Sequence, residues 1–161
     1  LFLGLVGDEL LAMRFLHPAR HDEYFSAGAA AFAAGHVLYI WALVALSGVR
    51  LIAALPVFIV GYAAALVCGW RGKVNAGKLT PCAIVYIALV VFMGATACAA
   101  AARSFSVGTL MFAAAGVCFS VSDCILCVYC YGSRRTDGMN AAIHATYYAA
   151  QMLIAWSIAL V

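Results

Sequence analysis

Six long apolar runs, separated only by short polar connections, dominate this sequence: about Leu1–Leu16, Phe25–Ser47, Leu51–Trp70, Pro81–Ala102, Val107–Tyr131 and Ala141–Val161. A run of about 20 apolar residues is what an α-helix needs to cross the hydrocarbon of a bilayer. Composition points the same way. The chain is 68% hydrophobic and 9% charged, whereas a soluble domain carries about 25% charge. A water-soluble globule and a disordered chain are both excluded. The expected fold is all-α, a polytopic transmembrane helical bundle with six spans and one domain over residues 1–161.

The connections are His17–Tyr24, Gly48–Arg50, Arg71–Thr80, Arg103–Ser106 and Gly132–Asn140. All are short, so each helix is expected beside the next. Pro81 falls in the first turn of its helix, where its missing N–H costs nothing. The first run is shorter than a span, which predicts a chain that begins inside a helix, with residues missing upstream. It lacks the basic segment and cleavage pattern of a signal peptide.

Basic residues are unevenly placed. The first, third and fifth connections carry Arg14, Arg20, Arg71, Lys73, Lys78, Arg134 and Arg135, and the other two carry only Arg50 and Arg103. This bias predicts cytoplasmic odd-numbered connections, with both ends of the chain on the other side. The net charge of +3 is too small and scattered to suggest nucleic-acid binding.

Three acids fall within apolar runs: Asp8, Glu9 and Asp123. An acid at mid-helix costs about 2.5–3.5 kcal/mol on insertion scales, so each marks a functional position or a buried hydrogen bond that fixes packing. Glu9 points about 100° away from Asp8 and is read as structural. Asp8 and Asp123 each lie about 12 Å inside the basic boundary, on helices running in the same direction. Two carboxyls at one depth can converge on one site. His36 and Tyr39 share a face of the second helix, and His144, Tyr148 and Gln151 form a stripe on the last, with Tyr147 beside it. Tyrosines in such positions also serve as interfacial or core anchors, and a glutamine can bind helices together. Gly116, Ser120, Asp123 and Cys127 form a small-residue stripe, suited to close helix approach or to leaving room for a ligand.

The seven cysteines read as small packing residues. Cys124, Cys127 and Cys130 have CxxCxxC spacing, but on a helix these positions rotate off one face and no fourth iron–sulfur ligand is evident. His36, His144 and the acids include zinc-ligand types, yet no spacing fixes a geometry. No metal and no cofactor is expected.

Two pairs of stretches go further. Gly4-Leu5-Val6-Gly7-Asp8-Glu9-Leu10-Leu11-Ala12-Met13 precedes Phe32-Ala33-Ala34-Gly35-His36-Val37-Leu38-Tyr39-Ile40. Ala115-Gly116-Val117-Cys118-Phe119-Ser120-Val121-Ser122-Asp123 precedes Thr146-Tyr147-Tyr148-Ala149-Ala150-Gln151-Met152-Leu153-Ile154. In order and spacing these resemble the motifs of the YhhN-like lysoplasmalogenase family, over essentially the whole chain. Gly35 stands where the family more often has alanine. The resemblance implies a parent of eight spans, with two spans and a Lys-Pro motif upstream.

It also implies an activity: hydrolysis of the vinyl-ether bond of lysoplasmalogens to a fatty aldehyde and glycerophosphocholine or glycerophosphoethanolamine. On that reading Asp8 and Asp123 are the catalytic candidates, and His36, Tyr39, Tyr148 and Gln151 surround the substrate. The chemistry suits two carboxyls. A vinyl ether accepts a proton at its β-carbon, and the resulting oxocarbenium ion is captured by water. Glycosidases handle such a cation with a carboxyl pair. The expected partners are a lysophospholipid substrate and membrane lipid. The expected location is a multi-pass position in a bacterial inner membrane or a eukaryotic endomembrane. A small-solute or proton-coupled transporter is the alternative, with the acids acting as a relay. A membrane scaffold held together by its polar residues is a third reading.

Overall fold

Apolar runs surrounded by lipid satisfy their backbone groups as helices, and this chain does so. The computed structural model describes residues 1–160, which form six α-helices and no strand. These are α1 (Phe2–Leu16), α2 (His21–Ser47), α3 (Leu55–Arg71), α4 (Thr80–Arg103), α5 (Val107–Tyr131) and α6 (Asp137–Ile158). The arrangement is a helical membrane bundle. Val161, part of the last expected span, lies outside the described residues.

Helix starts differ from expectation where polar residues at the ends join the helix. The second helix begins about a turn early, after a 3-10 turn opened by Pro18, and carries Asp22 and Glu23 in its first turn. Acids there complement the helix dipole. The last helix also begins early, because the Thr136 hydroxyl accepts from the Met139 N–H and caps it at Asp137. Ser106 and Thr109 form a reciprocal capping box at the start of α5. Leu51–Ala54 is a 3-10 turn, with α3 following from Leu55.

Four stretches among the described residues are long and apolar enough to cross a membrane: Pro18–Ser47, Leu51–Arg71, Gly77–Arg103 and Val107–Tyr131. The six expected spans are thus six helices, of which four meet that standard. With 15 residues, α1 is shorter than a span. With 22 residues, α6 is long enough, but His144, Tyr147, Tyr148 and Gln151 make it more polar.

Packing follows small residues. A Cβ on Gly7 would meet the Phe32 ring at 2.5 Å, and one on Gly28 would meet the Gly7 carbonyl oxygen at 3.1 Å, so these glycines let α1 and α2 cross closely. Gly116 and Gly94 do the same for α5 and α4, where a Cβ on Gly116 would lie 2.8 Å from the Gly94 Cα. Further pairings join α2 to α4 and α5 to α6. Side chains of α6 reach back to α1, closing α1, α2, α4, α5 and α6 into a ring. The expectation that every helix neighbours the next fails at α2, which packs on α4 instead of α3. The Leu51–Ala54 turn carries the chain past α4, so α3 lies outside the ring against α4 and α5. It turns Ile59 and Val60 outward, 63% and 72% exposed.

The connections are fixed at both ends. At one, the Arg103 Nε donates to the Ser47 carbonyl at 3.1 Å, beside Gly48, whose φ of 63° ends α2 in the left-handed region. At the other, the Asn75 N–H donates to the Tyr131 carbonyl at 2.9 Å and the Ser133 N–H to the Gly72 carbonyl at 3.0 Å. This second end carries most of the basic residues.

Candidate functional site

At the basic end the ring does not fill its centre. A cavity of about 740 Å³ opens there, walled by α1, α2, α4, α5 and α6. Phe32, Ile87 and Ile143 contribute apolar surface, while Asp8, Tyr86, Asp123 and Tyr147 supply polar groups. This combination, an apolar hollow with a few convergent polar groups, is the usual form of a small-molecule site.

Asp8 and Asp123 both face this cavity, from α1 and α5 respectively. Asp123 is buried, 8% exposed, and Asp8 is half-buried. Each carboxyl has its own tyrosine. The Tyr147 hydroxyl donates to Asp8 Oδ2 at 2.6 Å, and the Tyr86 hydroxyl donates to Asp123 Oδ2 at 2.7 Å. The Gln151 Nε2 donates to the Tyr147 hydroxyl at 2.8 Å, so Tyr147 is held from behind while it holds Asp8. Short hydrogen bonds of this kind to a carboxylate are about twice as strong as neutral ones and fix its orientation.

Local sequence explains this geometry. On α1 the glycine before Asp8 lets Phe32 lie against the helix, and Phe32 in turn meets the edge of Tyr147 with ring centroids 6.1 Å apart. Gly4 makes room for Gln151, whose Nε2 would lie 2.8 Å from a Cβ there. The small-residue stripe of α5 divides between two tasks. Gly116 and Ser120 meet α4, with the Ser120 hydroxyl donating to the Gly116 carbonyl at 2.9 Å, while Asp123 and Cys127 face the cavity.

The other expected site residues are distributed unevenly. Tyr148 lines the cavity at its outer side, 59% exposed and 5.5 Å from the Tyr147 ring. Gln151 stands one layer behind Tyr147. His36 and Tyr39 do not line the cavity. His36 is 1% exposed, within an aromatic cluster of Tyr39, Tyr86 and Phe119 whose centroids lie 6.4, 6.1 and 5.3 Å away. Both of its ring nitrogens are buried without a hydrogen-bond partner among the described residues. Tyr39 packs edge-on against Phe112 at 5.6 Å. Glu9 is exposed and does not line the cavity.

Tyr86 is the principal residue that sequence reasoning did not select, and Tyr147, beside the stripe of the last helix, has no site role in that reasoning. Tyr147 could have been found four residues before Gln151, on the same helix face. Tyr86 stands alone in an apolar run and reads as an anchor. Its depth was the available signal, since it lies about 9 Å beyond the start of α4, deeper than the interface where anchors sit. His144 is a third. Its Nδ1 lies 2.8 Å from the Asn140 carbonyl oxygen, which can only accept, so Nδ1 carries a hydrogen, and the residue lines the cavity. No group of three His, Cys, Asp or Glu side chains among the described residues is arranged to hold a metal ion.

No curated protein and no solved structure matches the chain. The YhhN family model matches residues 1–158, nearly every residue that builds the ring and its cavity, and the chain belongs to the YhhN family.

Proposed function

We propose that this protein is an intramembrane hydrolase that cleaves the vinyl-ether bond of lysoplasmalogens, releasing a fatty aldehyde and a glycerophospho-alcohol. One observation carries the reading: two carboxyls from different helices of a YhhN-family membrane bundle open into one apolar cavity at the basic end. A single-chain lipid fits such a place. Its alkenyl chain lies among apolar walls, and its head group remains at the mouth.

The reaction needs an acid, an anion and a water. One carboxyl of the Asp8–Asp123 pair donates its proton to the β-carbon of the vinyl ether, leaving an oxocarbenium ion at the α-carbon and ether oxygen. The other carboxyl, ionised, faces the developing positive charge and accepts a proton from the attacking water. The hydroxyl bonds to the α-carbon, giving a hemiacetal. The second carboxyl returns its proton to the glycerol oxygen, whose bond to the α-carbon breaks, while the first carboxylate takes the hemiacetal hydroxyl proton and the aldehyde forms. Water is consumed and the carboxyl pair ends as it began. Tyr147 and Tyr86 each donate to one oxygen of a carboxylate and leave the other oxygen for substrate or water.

The test is aldehyde release from a lysoplasmalogen by the purified protein in nanodiscs. Asp8→Asn and Asp123→Asn should each lower turnover at least about 100-fold, with unchanged elution as a single species. Normal turnover in both variants would remove the carboxyl pair from the mechanism. Absence of hydrolysis by the unaltered protein, with solute uptake in proteoliposomes, would favour the transporter.

A further inference from the structure

The proposed reaction uses the floor of the cavity and leaves its mouth unexplained. There, two guanidinium groups meet at one residue. Arg14, in the last turn of α1, places Nη1 3.6 Å from the Cys130 Sγ, and Arg135, beyond the end of α5, donates from Nη2 to the Cys130 carbonyl at 2.8 Å. Both arginines line the cavity. Neither has a carboxylate partner: the one ion pair among the described residues joins His21 to Asp22. The Arg14 guanidinium is held against the faces of Phe15 and Phe25, 4.7 and 5.6 Å from their centroids, and its Nε is buried with no hydrogen-bond partner.

Two cations that share a neighbour at a cavity mouth, one of them half-buried with a donor unspent, are stabilised by an anion shared between them. Arg14 is half-buried and Arg135 is exposed at the rim, so the pair offers one sheltered and one accessible cation at the cavity mouth. We infer that Arg14 and Arg135 form a binding site for the phosphate diester of a lysolipid head group. The assignment rests on the reading of the cavity as a lysolipid site, and it makes these arginines the measure of where the substrate stops.

The spacing agrees. Arg14 follows Asp8 by six residues, about 9 Å of helix rise, and Cys130 follows Asp123 by seven, about 10 Å. The guanidinium level therefore lies one step closer to the basic end than the carboxyl level, on both walls. In an extended lysolipid the ether oxygen and the phosphorus are five bonds apart, about 6 Å. The side chains reaching inward cover the remainder. With phosphate at the arginines, the vinyl ether stands between the two carboxyls. A free alcohol head would lack this anchor and slide in depth.

The experiment measures binding and turnover separately, on the full chain in nanodiscs. The binding probes are an alkyl lysophosphocholine, which has no vinyl ether to hydrolyse, the matching alkylglycerol without phosphate, and inorganic phosphate. The phosphate-bearing lipid should bind at least about tenfold more tightly than the alkylglycerol. Arg14→Gln and Arg135→Gln should each remove most of that difference and leave alkylglycerol affinity unchanged. With lysoplasmalogen as substrate, both should raise KM more than they lower kcat. Arg135 lies outside the helices, so its variant tests the site even where Arg14→Gln fails to fold. Equal affinity of the phosphate-bearing lipid for the unaltered protein and Arg135→Gln would overturn the assignment. So would tight binding of inorganic phosphate with no advantage for the phosphate-bearing lipid. Arginine-dependent preference for the phosphate-bearing lipid in a protein that releases no aldehyde would uphold the site and reject the hydrolase reading. Aldehyde release with no such preference would do the reverse.

Discussion

Tyr147 joins three parts of the candidate site: it donates to Asp8, accepts from Gln151 and touches Phe32. Tyr147→Phe keeps the ring and removes only the hydroxyl. A hydrogen bond to a charged group contributes about 1.5–3 kcal/mol, so aldehyde release should fall about 10- to 100-fold if that bond matters chiefly in the transition state. The thermal midpoint should change little, because the ring contacts remain. A loss of stability with normal turnover would make the tyrosine a packing residue instead. This chain of contacts was only partly legible in the sequence. Asp8 and Asp123 stand out because a carboxyl in an apolar run is costly and needs a reason. Tyr86 does not stand out, since a tyrosine has an apolar body that any helix tolerates. His36 is conspicuous by the same logic as the acids, yet its ring lies in the aromatic cluster behind the cavity wall.

Helix crossings depend on a few positions without side chains. A Cβ at Gly116 would lie 2.8 Å from the Gly94 Cα, and backbone cannot yield as a flexible side chain does. Gly116→Ala should push α4 and α5 apart and cost about 1–3 kcal/mol, the range for overpacking. Gly69 on α3 has nothing within 4 Å of the same added atom. Gly69→Ala should therefore be neutral or stabilising by up to about 1 kcal/mol, since alanine favours helix. Thermal unfolding of the two variants in one detergent separates them, and equal effects would refute the close-crossing account. Run length made the six helices legible, but not their order around the ring. A helix in lipid is apolar on its outer face as well as its inner one, so hydropathy carries little sign of which side packs. The position of α3 outside the ring was for that reason hidden. Its connection to α2 is short, but adjacency in sequence did not become adjacency in packing. Thr136 likewise extends α6 past the apolar boundary by a capping hydrogen bond, and Asp22 and Glu23 stand in the first turn of α2, where acids complement the helix dipole; neither effect follows hydropathy.

For the whole molecule, the cavity and the charge bias share one end. The connections between α1 and α2, α3 and α4, and α5 and α6 carry most of the lysines and arginines, and the cavity opens among them. Anionic lipid in the cytoplasmic leaflet attracts such residues by about 1 kcal/mol each, and the positive-inside rule places them on that side. On the proposed function, lysolipid is then expected to enter from the cytoplasmic leaflet and water from the cytosol. Lys73 and Lys78 are exposed in the connection between α3 and α4, so trypsin can report the side. Inside-out vesicles should be cut at these two lysines, and in right-side-out vesicles the same two sites should remain uncut until the vesicles are opened. Lysoplasmalogen added outside should likewise be hydrolysed promptly by inside-out vesicles, and by right-side-out vesicles only after the lipid crosses the bilayer. Cleavage at Lys78 in sealed right-side-out vesicles would reverse the orientation, and prompt hydrolysis in the same preparation would place the cavity mouth on the outer face with it.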